Sequence, residues 1–406
     1  MKNTAFLLAS ALLAATTTAA PSGAQWDTTP AQKAGSNKYT LQQMRNEKFK
    51  GLDITAALAK AHMRFGTELP DFLKKVIDLD PILKSKFLSL ESAGEKASVQ
   101  AISPESYDSE YVIPVELGTP PQTLPLNLDT GSSDLTSKKL DGQTWGVKYG
   151  DGSGAGGIVY TDVAAVGSVS YDKQAIQVAV SVSDSISADN FFAGILGLAS
   201  SSANTVKPNR QRTFIDNIKD DLAEPVFTAN LKKGVPGTYN FGYINESEYI
   251  GDIEYTPINL LTPFWEINLS GSQIGKDGEF DNVPVRGIVD TGTSLLMMPQ
   301  QVVDDYYAEL EGSFFNYEKG VMMYPCDLTP PDFIFGVGDY RGVIPGHYMN
   351  YARANETYCY GGLQTSQGIP FSVFGDIMLK AQFVVFDRGT LQVGFANKET
   401  EPPSSS

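Results

Sequence analysis

The feature that most constrains this chain is a pattern that it carries twice. An apolar alternation runs into Asp129-Thr130-Gly131-Ser132, and 161 residues later another runs into Asp290-Thr291-Gly292-Thr293. Two apolar residues with an adjacent glycine follow each copy downstream, in Gly194-Ile195-Leu196-Gly197 and again in Val373-Phe374-Gly375-Asp376. A single Asp-Thr-Gly turns up by chance in roughly one chain in twenty of this length, and reads first as a turn in which the aspartate bonds its own backbone. Two copies with matching flanks point instead to two related halves. The economical geometry for such halves is a two-fold arrangement that sets Asp129 and Asp290 face to face.

The surrounding texture is that of an all-β protein. From Tyr111 onward, short runs rich in Val, Ile, Tyr and Phe alternate with Gly, Asn, Asp and Ser, and few helical patterns intervene. Upstream the texture differs: residues 52–65 place apolar side chains three or four apart, and residues 71–90 form a second helical stretch interrupted by Pro81. Charge changes at the same join. Residues 25–96 carry 12 Lys/Arg against 9 Asp/Glu, whereas residues 97–406 carry 18 against 38. An acidic body repels phosphates, so nucleic acid is not an expected partner.

The N-terminus, with Lys2, an apolar stretch over 5–15 and small residues up to Ala20, reads as a signal peptide too short to span a bilayer. Two cysteines, Cys326 and Cys359, most simply form one disulfide in an exported chain. Asn245, Asn268 and Asn355 each open a glycan-acceptor tripeptide. No membrane span, cofactor or metal is expected. Only His62 and His347 are present, too few for a histidine-based triad or a zinc site. Residues 152–157 satisfy a dinucleotide-type glycine pattern, yet Ile158-Val159-Tyr160 favour a strand where that motif needs a helix. Trp265 is expected in core or sheet packing.

Two carboxyls at hydrogen-bonding distance cannot both ionise readily, so they share a proton over a wide acidic range. One can then act as general base on a water while its protonated partner hydrogen-bonds a substrate carbonyl. On these residues the chain resembles the pepsin-like aspartic endopeptidases, in texture the secreted fungal ones. The resemblance implies a bilobal all-β fold with a cleft between two pseudo-two-fold-related lobes, preceded by a partly helical propeptide. It divides the chain into a signal peptide at 1–19, a propeptide at 20–96, an N-terminal lobe at 97–248 and a C-terminal lobe at 249–406. Asp129 and Asp290 would be the catalytic pair. Thr130 and Thr291 would brace them across the interface, and Ser132 and Thr293 would hydrogen-bond their outer oxygens, beside Gly131 and Gly292. Tyr149, Gly150 and Asp151 would form a flap over an extended peptide substrate whose side chains enter largely apolar pockets, with Asp151 able to accept a basic residue. Cys326 and Cys359 match the disulfide of the C-terminal lobe.

The same resemblance implies a secreted monomer acting on proteins or peptides, its own propeptide occupying the cleft near neutral pH. Arg64, or alternatively Lys60, would reach the catalytic pair, and acid would release the segment for self-cleavage near residues 95–103. The chain departs from the family at one place. The strand after Asp129 normally continues into a tryptophan, where Thr136 stands here, and the flap arrives about twenty residues early by that comparison. An inactive relative that binds protein or carbohydrate is the competing reading, although such relatives usually lose one aspartate or its glycine.

Overall fold

The computed structural model describes residues 38–42, 54–65, 69–79, 111–132, 139–148, 154–167, 169–182 and 194–400. Residues 1–19, the region 95–103, Thr136, the expected flap residues Tyr149, Gly150 and Asp151, and the side chain of Lys60 lie outside the described residues.

The duplicated pattern is visible in the strand pairing. Strand Gln122–Asp129 runs parallel to Gly194–Gly197 with Asp129 opposite Gly197. In the other half, Val285–Val289 runs parallel to Ser372–Phe374 with Val289 opposite Phe374. Each Asp-Thr-Gly turn therefore leaves the end of a strand whose neighbour is the downstream apolar-glycine segment. The backbone continues this pairing past the strand ends: Leu198 N–H donates to Asp129 O at 2.8 Å, and Asp290 N–H donates to Phe374 O at 3.1 Å. Parallel neighbours are buried on both faces, which explains the buried run Leu126–Leu128, whose Asn127 donates its amide to Tyr111 O at 2.9 Å, and the apolar run Gly287–Val289.

Around these turns the chain is organised in sheets. One six-stranded sheet holds Lys139–Lys148, Gly154–Val166, Val112–Leu117, Gln122–Asp129 and Gly194–Gly197 in that order, with Val169–Val182 also paired to Gly154–Val166. A five-stranded sheet built on Val285–Val289 is its counterpart, and smaller three- and four-stranded sheets complete the C-terminal half. A second six-stranded sheet draws on both halves, placing Tyr39–Gln42, Thr238–Phe241, Val226–Asn230, Gln382–Asp387, Gln392–Asn397 and Ile250–Pro257 side by side. Trp265 is buried where these layers meet, edge-on to Phe227 and Phe386, and its Nε1–H donates to Leu198 O at 3.0 Å. As expected, residues from Gly154 form a strand, which excludes the dinucleotide reading of the preceding glycines.

Two helices precede the β body. Helix α1 (Ile54–Phe65) buries Ile54, Leu58, Ala61 and Phe65, a stripe at helical spacing, and carries Arg64 in its last turn where a cation suits the helix dipole. Helix α2 (Asp71–Leu79) starts just after Pro70, whose carbonyl accepts from Leu73 N–H and Lys74 N–H at 3.0 Å. It buries Leu73, Val76 and Ile77 and exposes Lys74, Lys75 and Asp78. Each such apolar side chain contributes about 1.5–3 kcal/mol when fully buried. Both helices dock on the C-terminal half: Thr55 Oγ1 donates to Lys319 O at 2.7 Å, and Phe72 and Val76 lie over Gly320. The second helix ends at Leu79; the remainder of the expected stretch to Leu90 lies outside the described residues.

Candidate active site

The two Asp-Thr-Gly turns meet at the interface of the halves. Asp129 is 1% exposed and Asp290 0%. Within each turn the aspartate is held by the glycine two residues on: Gly131 N–H donates to Asp129 Oδ1 and Gly292 N–H to Asp290 Oδ1, each at 2.9 Å. The glycines also lie against the opposite carboxylate. A Cβ added at Gly131 would sit 2.7 Å from Asp290 Oδ1, and one at Gly292 would be driven into Asp129. No larger residue fits without separating the pair.

The intervening threonines cross over. Thr130 Oγ1 donates to Val289 O at 2.8 Å and accepts from Thr291 N–H at 3.0 Å. Thr291 Oγ1 donates to Leu128 O at 2.5 Å and accepts from Thr130 N–H at 3.2 Å. Each hydroxyl thus uses its donor and an acceptor site on the other half, so neither threonine leaves an orphan polar group.

The residues after the glycines are not equivalent. Thr293 Oγ1 donates to Asp290 Oδ2 at 2.6 Å. Ser132 was expected to do the same for Asp129: its buried hydroxyl lies beside that carboxylate and favours its charged form, without a bond as close as that of Thr293. Both Asp129 oxygens are instead taken by Nη2 of Arg64, which also sends Nη1 to within 3.4 Å of Asp290 Oδ2. Of the two basic residues weighed for this contact, Arg64 makes it.

This asymmetry sets the charges. Burial raises the Asp129 carboxyl, but the Arg64 charge and its hydrogen bonds, helped by Ser132 and Asp290, bring it below its ordinary value. Burial likewise raises Asp290; Arg64 opposes, the Asp129 charge reinforces, and the result is a carboxyl pushed up to about 6. Two aspartates in matching turns therefore hold their protons very differently.

Beside the pair, Phe65 of α1 occupies an aromatic pocket, its ring centroid 5.7 Å from both Phe264 and Phe371 in edge-on contacts. The sequence reading named apolar pockets without these two residues, because nothing in the sequence links positions 264 and 371. Elsewhere, Cys326 and Cys359 are bonded to each other. Asn268 and Asn355 are exposed, whereas Asn245 is half-buried and caps a short helical turn at Ser247. Among the described residues no cluster of His, Cys, Asp and Glu could hold a metal, and no helix is long and apolar enough to cross a membrane.

Comparison with known proteins places this geometry. The sequence model of the eukaryotic aspartyl protease family matches residues 110–137 and 135–398. The chain belongs to that family. It is 39% identical to endothiapepsin of Cryphonectria parasitica over 90% of this chain and 92% of that one. It is 42% identical to penicillopepsin-1 of Talaromyces stipitatus over 75% and 83%. Against aspergillopepsin-1 of Aspergillus oryzae the identity is 36% over 98% and 99%. The crystal structure of an aspartic proteinase from Irpex lacteus superposes with a TM-score of 0.63 at 22% identity, covering 73% of this chain and 97% of that chain, which supports the bilobal all-β fold. The protein is thus an aspartic-type endopeptidase and its substrates are peptides. The reading as an inactive binding relative is not favoured. The two matched pieces overlap at residues 135–137.

Proposed function

We propose that the protein is a secreted acid endopeptidase, made as a precursor, in which Asp129 and Asp290 activate water for peptide-bond hydrolysis. The observation that carries this reading is the pair of facing turns, each holding its aspartate through Gly131 or Gly292 and bound to the other through Thr130 and Thr291. The pair shares one proton. Its carboxylate takes a proton from a water molecule as the water oxygen bonds to the substrate carbonyl carbon. Its carboxyl gives its proton to the carbonyl oxygen, so that a neutral tetrahedral diol forms. Collapse returns a proton to the leaving nitrogen and restores the pair, with no covalent enzyme intermediate.

In this reading residues 1–19 are a signal peptide, 20–96 a propeptide, and 97–248 and 249–406 the two lobes. The charged N-terminus followed by an apolar stretch, and the disulfide, support export. Monomeric action and a flap carried by Tyr149, Gly150 and Asp151 belong to the same proposal. The propeptide inhibits by occupying the cleft. Arg64 sits where the reacting groups would be, and Phe65 fills the pocket of Phe264 and Phe371, which supports a preference for hydrophobic side chains next to the scissile bond.

The test is hydrolysis of a denatured protein at about pH 3–5, with and without a statine-type inhibitor. Asp129→Asn and Asp290→Asn should each lower turnover by about 10²–10⁴-fold or more. Full turnover in either variant, or indifference to the inhibitor, overturns the assignment.

A further inference from the structure

One buried titratable group lies outside the chemistry above. His62 is 1% exposed, although it belongs to a helix that must leave the body. Its two ring nitrogens both face carbonyl oxygens: Nδ1 is 2.9 Å from Leu58 O on the same helix, and Nε2 is 2.8 Å from Gln367 O on the body. A neutral imidazole has one N–H, so it can satisfy only one of these oxygens and turns a lone pair toward the other. A protonated ring could donate to both, but it would be a buried cation with no counter-charge among the described residues.

Among the described residues the surroundings offer none. On α1 the neighbouring charge is Arg64, itself a cation and committed to Asp129 and Asp290. Helix α2 presents Phe72, edge-on at 6.4 Å between ring centroids, while its charged residues Asp71, Lys74, Lys75 and Asp78 are all exposed. The body contributes Ser366, Gln367 and Gly368, which carry no charge.

We propose that His62 is the acid-sensing latch of the pro-segment, seating α1 on the Gln367 carbonyl while the ring is neutral and releasing it when the ring takes a proton. This rests on the reading of residues 20–96 as an inhibitory propeptide and adds the group that sets its release. Burial is the dominant influence on His62 and holds it below its ordinary value of 6.5, outweighing the two carbonyls, which favour the charged ring. The sign follows. A base depressed in the docked state contributes docking stability that is complete above about pH 6.5 and is lost as pH falls toward the docked value. Asp129, held below the ordinary carboxylate value by Arg64 against burial, keeps its ion pair through that window. The latch therefore opens before the ion pair does.

The experiment follows conversion of the full-length precursor by gel across a pH series. For the natural precursor the midpoint should lie between about pH 6.5 and 5; a precursor that stays latched until about pH 4 overturns the proposal, whether or not any variant folds. His62→Gln keeps a donor for Gln367 O and cannot charge, so its midpoint should fall by about one pH unit or more. His62→Lys carries a fixed charge and should convert about tenfold faster than the natural precursor near neutral pH. A role in packing alone would weaken docking in both variants and move both midpoints upward, which overturns the latch, as does a His62→Gln profile that superimposes on the natural one. Arg64→Ala separates the two readings: it should convert faster at every pH. If it does not, inhibition by the pro-segment fails. If it does while His62→Gln is unchanged, the latch alone fails.

Discussion

At Asp129 and Asp290 one local sequence, repeated, produces two carboxyls of unequal character, because the third partner is shared unevenly. Arg64 grips both oxygens of Asp129 and only approaches Asp290. The two therefore titrate apart. Asp129, depressed in the docked state, contributes docking stability that is present above the ordinary carboxylate range and lost only as pH falls below it. Asp290, raised by burial and the Asp129 charge to about 6 with Arg64 opposing, takes its proton before Asp129 does. In precursors probed with an added protease at neutral pH, Asp129→Asn should therefore expose the N-terminal segment to cutting about tenfold faster than Asp290→Asn does. The glycines give a second expectation at this scale. Gly131→Ala and Gly292→Ala each push a methyl group against the opposite carboxylate, and should abolish turnover while costing about 1–3 kcal/mol in denaturant unfolding. Both aspartates and their threonine brace were legible in the sequence, since repetition itself is a signal. The unequal charge of the pair was not, because the group that sets it, Arg64, lies 65 residues from Asp129. His62 was dismissed at first as one of too few histidines. Its defining partner, the Gln367 carbonyl, is 305 residues distant and has no signature in sequence.

Elements were legible where they are long and regular. Strands at Val112–Leu117, Gln122–Asp129, Gln382–Asp387 and Gln392–Asn397, and helix α1, fall where alternation or helical spacing places them. The strand Tyr39–Gln42 was not found. Its four residues are ordinary in composition, and its existence depends on the waiting edge of Thr238–Phe241. Strand Lys139–Lys148 was also missed, since Gly, Asp and Lys dilute its pattern; it is paired to Gly154–Val166 and tied by Thr144 to Lys207. In the C-terminal half the disulfide closes a loop of 33 residues between neighbouring strands. Chain-entropy reasoning gives about 3–4 kcal/mol for a loop of that size. Cys326→Ser with Cys359→Ser should lower unfolding stability by roughly that amount in urea.

For the whole molecule, the decisive contacts are those that join halves separated by 161 residues. Thr130 and Thr291 supply four buried hydrogen bonds across the interface. Losing a buried partner costs about 1–3 kcal/mol. Thr130→Val and Thr291→Val should each destabilise by about that much, and the double variant should depart from the sum because the two hydroxyls belong to one interlocked network. A double-mutant cycle in denaturant checks this. The acidic body and basic N-terminal stretch act at the same scale. Their attraction is weakened by salt, so raised ionic strength should speed precursor conversion at a fixed mildly acid pH. The reciprocal threonine bonds have a further consequence. Because each aspartate's turn is completed by a group from the other half, neither half can assemble a working centre by itself. On the assignment proposed above for Asp129 and Asp290, proteolytic competence is an all-or-none property of the finished molecule.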